Sequence, residues 1–209
     1  MTDSQMLSDR RTLRSRKMIR EAFAALVDER GLSEFTVGDL MERADLNRST
    51  FYAHFSDLHS LLAYFEREII ADLAAIKPLV MTVSLDELLA FTLTGQPPAT
   101  TIYIFDILRE HGSLLRALLS ERGDAAFHAQ LRDTVCTDLV RSVLSEKYTR
   151  DPSALVEYYI AYYASALLGL IQRWLKLGMV EDSETMARMM LSIMFLKPGD
   201  SIRFLGEKQ

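Results

Sequence analysis

Apolar residues recur at three- and four-residue spacing along almost the whole chain, and no stretch alternates polar and apolar residues as a half-buried strand would. That periodicity restricts the chain to an all-α fold. Gly31, Pro78, Gly95-Gln96-Pro97-Pro98, Gly112, Gly123, Gly178 and Pro198-Gly199 interrupt it. They divide the sequence into predicted helices over 12–30, 37–44, 48–54, 57–76, 84–94, 99–111, 113–121, 124–148, 152–177 and 182–197. The first four are short or closely spaced and the later ones are longer, so a division near 76–84 is expected.

Composition removes several function classes. Only 14 of 209 residues are Pro or Gly, against 49% hydrophobic, which suits a globular chain with a sizeable core. A single cysteine, Cys136, excludes an intrachain disulfide framework and a multi-cysteine metal site, so a cytoplasmic protein is expected. The opening MTDSQMLSDRRTLRSRK has no apolar core of a secretory signal. The longest weakly polar stretch, 158–171, holds four tyrosines and falls short of the ~20 apolar residues of a membrane span. No G-x-G, P-loop or G-x-S-x-G occurs. Of the histidines His54, His59, His111 and His128, the first two are five apart and on different helical faces. No enzyme, cofactor, metal or membrane partner is therefore expected.

The net charge of −5, taken alone, argues against nucleic acid, but it is an average. Arg10, Arg11, Arg14, Arg16, Lys17 and Arg20 form a run with no acid between them, while residues 61–209 carry 15 basic and 19 acidic residues. Placed before a tight helix pair, that run is read either as a solvated face or as a track for phosphates, with Arg14 and Lys17 as candidates.

The stretch TVGDLMERADLNRSTFYAHF, 36–55, carries the most information. Thr36 suits the cap of one helix, and Val37, Leu40, Met41 and Ala44 give that helix an apolar face. Asp45-Leu46-Asn47 is a three-residue break with Asn47 as the next cap. Phe51 and Phe55 then share one face of a short helix, and Arg48, Ser49, Thr50, Tyr52 and His54 project elsewhere. Two short helices with so tight a turn have the geometry of a helix-turn-helix, whose second helix enters the major groove of DNA, the other reading being a helical hairpin with a solvated polar face. Arg48 can fork onto guanine or phosphate, Ser49 and Thr50 can hydrogen-bond or touch a thymine methyl, and Tyr52 and His54 can reach phosphates.

Residues 10–76 resemble the DNA-binding domain of the TetR/AcrR family of bacterial transcriptional regulators. Phe23, Thr36-Val37, Leu40, Ala44, Thr50-Phe51-Tyr52-Ala53-His54-Phe55 and Leu61-Leu62 carry the resemblance. Two positions depart from it. Asp45 stands where the family usually has glycine, and Leu58 where it usually has lysine, so that one phosphate contact is either absent or supplied by His59. The resemblance implies a DNA-binding set of Thr36, Asn47, Arg48, Ser49, Thr50, Tyr52, His54, His59, Arg14 and Lys17. It also implies an arm and three-helix head over 1–56, a linking helix and connection over 57–83, and a regulatory and dimerisation domain over 84–209.

The predicted helices 152–177 and 182–197 are apolar on every side, so each must be covered on every side. Two adjacent ones in so short a chain point to a four-helix homodimer interface, with Tyr158, Tyr162, Ser165, Gly169, Met186, Met190 and Met194 as candidates. The segment ALLGLIQRWLKLGMVEDSETM, 166–186, is similar to the C-terminal region of a mainly Firmicutes-type subgroup of the family. The resemblance further implies a small-molecule effector, for which Tyr103, Phe105, Phe127, Cys136, Tyr159, Tyr163 and Trp174 are candidate lining residues, with core packing as their other reading. The expected function is a ligand-responsive repressor that binds a palindromic operator as a homodimer. The alternative is a co-activator or protein-interaction module whose DNA-binding head has degenerated.

Overall fold

A computed structural model describes residues 3–137, 140–141 and 154–195. Among them there are helices and no strands. The helices are α1 Asp3–Arg30, α2 Val37–Arg43, α3 Arg48–Tyr52, α4 Leu58–Ala75, α5 Lys77–Thr82 and α6 Leu85–Thr94. After them come α7 Ala99–Glu110, α8 Gly112–Leu118, α9 Ala125–Gln130, α10 Ala154–Lys176 and α11 Ser183–Phe195. Parts of the predicted helices 124–148, 152–177 and 182–197 lie outside the described residues.

Two boundaries differ from the sequence expectation for identifiable reasons. Helix α1 begins well before Thr12, because its first turns are polar and carry no apolar period to reveal them. The expected connection after α4 is itself helical over Lys77–Thr82, and Pro78 does not interrupt it. That proline lies in the first turn of α5, where a missing N–H costs nothing. Beyond α9 the chain continues as a π-helical turn, Leu131–Cys136.

The chain forms two compact units. The first comprises the described residues up to Asp72 together with His111–Val135. Its core is built on Phe23, whose ring meets Phe35 and Phe65 edge-on at 5.6 and 5.4 Å. Leu26, Val27, Leu40, Met41, Phe51, Leu61, Ile69, Leu114, Leu115 and Phe127 are buried around it. Helix α8 is tied to α1 by Arg116 and Asp28 at 2.5 Å, and the Arg122 guanidinium donates to the Glu29 carbonyl at 3.1 Å.

One polar network lies inside this unit. His111 is only 4% exposed. Arg20 Nη1 lies 3.1 Å from its Nδ1, and Asp72 Oδ2 lies 2.9 Å from its Nε2. A guanidinium only donates and a carboxylate only accepts, so Nδ1 is the acceptor and the ring proton sits on Nε2. Arg20 is itself paired with Glu68 at 2.6 Å and lies over the Phe65 ring. The chain leaves this unit after Asp72 and re-enters at His111, so the ends of the excursion are hydrogen-bonded to each other.

The second unit comprises Leu73–Glu110 and the described residues from Cys136 onward. Helix α10 ends at Gly178 (φ 81°), where Gly178 N–H donates to Leu175 and Met179 N–H to Trp174, both at 3.0 Å. That is a Schellman closure. The turn that follows is clasped from α7. Arg109 lies 5.1 Å from the Trp174 ring centroid and donates to the carbonyls of Met179 and Glu181. Trp174 Nε1 donates to the same Glu181 carbonyl, and Phe105 meets the indole edge-on.

Helix α10 is two-sided. Ile160, Ala164, Leu168, Ile171, Trp174 and Leu175 are buried, while Tyr158 is 75% and Tyr162 68% exposed, with Ser165 and Gly169 on the same side. His111→Ala removes one member of the buried network and is expected to lower unfolding free energy by about 1–3 kcal/mol in chemical denaturation. An unchanged stability would mean that the network contributes nothing.

Candidate nucleic-acid interface

Thr36 and Asp39 close a reciprocal capping box on α2. The Thr36 hydroxyl donates to Asp39 Oδ2 at 2.6 Å and accepts from Asp39 N–H at 3.2 Å, and Thr36 N–H donates to Oδ2 at 2.8 Å. These bonds and Arg30 hold the Asp39 carboxyl down to about 2, with the Thr36 hydroxyl the largest cause. Arg43 pairs with Glu29 at 2.5 Å and pulls that carboxyl below its ordinary range, fastening α2 to α1.

The turn after α2 is a second Schellman closure. Leu46 N–H donates to Met41 at 3.0 Å, Asp45 N–H donates to Glu42 at 3.1 Å, and Asp45 lies in the left-handed region at φ 52°. Aspartate tolerates that region better than most residues. The turn therefore keeps its geometry without glycine. Asn47 then caps α3 by accepting from Ser49 N–H at 3.0 Å. Phe51 alone is buried in α3, and its ring contacts those of Tyr52 and Phe55.

Burying Phe51 turns Arg48, Ser49 and Tyr52 outward, and all three are exposed, Tyr52 by 59%. Thr50 is half-buried, and His54 and His59 are exposed. Thr36 is exposed, but its hydroxyl hydrogen and N–H are both committed to Asp39 and offer a phosphate nothing. Asn47 uses only its oxygen in the cap, which leaves its amide N–H groups. Asp57 accepts from Ser60 N–H at the start of α4, and that bond lowers its carboxyl.

The basic run separates by helical phase, which its composition did not reveal. Arg16 leans on the Tyr64 ring and Arg20 is paired with Glu68, so these two serve α4. Arg14 and Lys17 are exposed, with Lys17 only 3.9 Å from Glu21. Arg30 and Arg43 are engaged with Asp39 and Glu29. Among the described residues Arg48 has no hydrogen bond or ion pair.

The arrangement is a capped helix, a tight left-handed turn and a short helix presenting a cation, hydroxyls and a phenol. Residues 19–64 match the family model described as "Bacterial regulatory proteins, tetR family". Residues 96–196 match the one described as "Transcriptional regulator C-terminal region". The chain belongs to the TetR family of transcriptional regulators. It is a DNA-binding regulator of that family, with its helix-turn-helix in α2 and α3.

Solved structures share the fold. The TetR-family regulator of Streptococcus agalactiae 2603V is 21% identical, with TM-score 0.53 over 90% of this chain and 98% of that one. A putative TetR-family regulator from Syntrophomonas wolfei str. Goettingen is 16% identical, with TM-score 0.56 over 86% and 92%. The dihydroxyacetone kinase operon activator DhaS is 18% identical, with TM-score 0.52 over 91% and 97%. Among curated proteins no relative matches the sequence.

The other candidate residues are dispersed. Phe105 and Trp174 are buried against each other, Tyr103 and Tyr159 are partly exposed, and Tyr163 stacks on Tyr159 at 4.3 Å. Phe127 is buried in the first unit, and the Cys136 side chain lies outside the described residues. Tyr158, Tyr162, Ser165 and Gly169 form one exposed stripe, and Met190 and Met194 are half-buried. Met186 is instead buried in its own unit, because residues four apart on a helix drift by about 40° per step. Among the described residues no helix is long and apolar enough to cross a membrane, and no group of three or more His, Cys, Asp or Glu is placed to hold a metal.

Asp39 gives a pH test of the cap. Its folded pKa, about 2, lies below the ordinary 3.8, so its contribution is complete above about 4 and is lost as pH falls towards about 2. The melting-temperature advantage of wild type over Asp39→Ala is expected to shrink across that window. An advantage constant from pH 5 to 2 would contradict the capping box.

Proposed function

We propose that the chain represses transcription as a homodimer that binds a palindromic operator and releases it when a small molecule binds the C-terminal domain. The observation that carries the reading is α3, whose outward row contains an arginine, Arg48, with no hydrogen bond or ion pair among the described residues. Four other arginines of the first unit, Arg16, Arg20, Arg30 and Arg43, are occupied within it. An exposed arginine at the start of a recognition helix suits a base-edge contact, and the reading assigns phosphate contacts to Tyr52, His54 and His59.

The exposed stripe of α10 supports a second copy as partner. Tyr158 and Tyr162 present large aromatic surface, Ser165 and Gly169 present almost none, and Ile193 on α11 is 56% exposed. Small residues between aromatic ones suit close helix approach across a two-fold axis. Two heads so paired would read two half-sites of a palindrome. Repression and release rest on the family, whose members typically act as dimers with small-molecule effectors. Release then follows if the effector binds better to a form whose two heads no longer match the half-site spacing. The degenerate-head reading loses one of its two grounds, since Asp45 takes up the left-handed turn.

Arg48→Ala is expected to cost about 1–3 kcal/mol in each half-site, the worth of a bidentate base contact. Together with Tyr52→Ala it should abolish operator binding in a gel-shift assay and leave the dimer intact. Retention of binding by both variants would remove α3 as the reader. For the dimer, Gly169→Leu is the cleanest change, because a Cβ there meets no other part of the described chain within 4 Å. Sedimentation should show a folded protein whose dimer is weakened by about 1–3 kcal/mol, the usual cost of overpacking. A dimer of unchanged affinity would place the interface elsewhere.

A further inference from the structure

Gly38 lies in the second position of α2, where nothing in the backbone calls for glycine. Its φ is outside the left-handed region. Alanine is the better helix former, so the missing side chain is a local cost that some other contact must offset. The surroundings show which. A Cβ built on Gly38 meets the guanidinium of Arg48, with Cζ at 3.1 Å and Nη2 nearer still, and then the Thr36 hydroxyl at 3.3 Å. Arg48, the first residue of α3, therefore lies back across α2 in a seat that exists because residue 38 has no side chain.

From this geometry we infer that Gly38 is a specificity-determining position, acting through Arg48. A long arginine loses side-chain entropy when it is fixed, and a free one can meet several acceptors in turn. Resting on Gly38, the guanidinium approaches the duplex from one direction while keeping its donors, because no carboxylate among the described residues claims them. The N-terminal residues of a recognition helix are those that reach base edges. A fixed fork there discriminates guanine, with its paired N7 and O6 acceptors, from the other bases. Gly38 touches no base in this account. It is a positioning residue, and a methyl group at that site displaces Arg48, because the two nearest atoms it meets are the far end of a flexible side chain; the Thr36 hydroxyl, at 3.3 Å, has only to give by a few tenths of an ångström.

This inference rests on the DNA-reading role of α3, and its test separates the two. Wild type, Gly38→Ala, Arg48→Ala and the double variant are each used to select binding sites from a random duplex pool. Their relative affinities for the selected site and its single-base variants are then measured, with a thermal melt of each protein. Gly38→Ala is expected to melt no lower than wild type. It should lose discrimination at the same half-site position as Arg48→Ala, by up to roughly 5- to 150-fold, the range such a base contact supplies. The double variant should match Arg48→Ala alone, because the glycine has no effect once the arginine is gone.

An unchanged preference in Gly38→Ala overturns the inference and leaves α3 as the reader. So does uniform weakening on every sequence, the mark of a phosphate contact. A further loss in the double variant overturns it too, since Gly38 would then act independently of Arg48. A wild-type protein that selects no sequence overturns both the inference and the reading beneath it.

Discussion

A helix of five residues does not hold together in water by itself, because nucleation costs more than so few hydrogen bonds return. Helix α3 exists only through its surroundings. Phe51 is fully buried, Asn47 satisfies an orphan N–H, and Asp45 sets the angle at which the chain enters. The polar row follows from that anchoring, since burying Phe51 leaves Arg48, Ser49 and Tyr52 outside. Core packing and surface chemistry are thus one constraint in this helix. The same logic runs outward through the first unit, where Phe23 joins α1 to Phe35 and to α4, and ion pairs from Glu29 and Arg30 fasten α2.

Much of this head was legible in the sequence because its determinants are local. Thr36 with Asp39, Asn47 with Ser49, and Asp45 between two short helices act within three residues of one another. The apolar pair Phe51 and Phe55 fixes the phase of α3. What escaped sequence reading is what depends on a distant partner. The basic run looked uniform, yet Arg20 is claimed by Glu68 and His111, and Arg16 by Tyr64. Among the described residues Arg14 and Arg48 carry no ion pair, and only the residues that face them separate them from the structural arginines. Residues 111–135 read as part of the regulatory body, and their packing within the unit of α1 is likewise non-local.

The second unit shows a different mixture. Gly178 was legible as the end of α10, and the Schellman geometry there is local. Arg109 was not legible, although it organises the turn by stacking on Trp174 and donating to two carbonyls. An arginine inside an ordinary helical period gives no sign of such a role. The apolar-all-round pattern of α10 was visible, and the structure divides it into a buried side and an exposed aromatic stripe. Candidate pocket residues fared least well. Aromatic side chains at helical spacing carry no signal that distinguishes lining from core, and Phe105 and Trp174 lie against each other.

An overall charge of −5 therefore coexists with a local cationic surface. The central claim is that this surface reads duplex DNA, and the most direct measurement is the salt dependence of binding. Arg14 and Lys17 from each of two heads would neutralise four phosphates, so log K against log salt should fall with a slope of roughly −4. A flat dependence on duplex DNA would contradict the account.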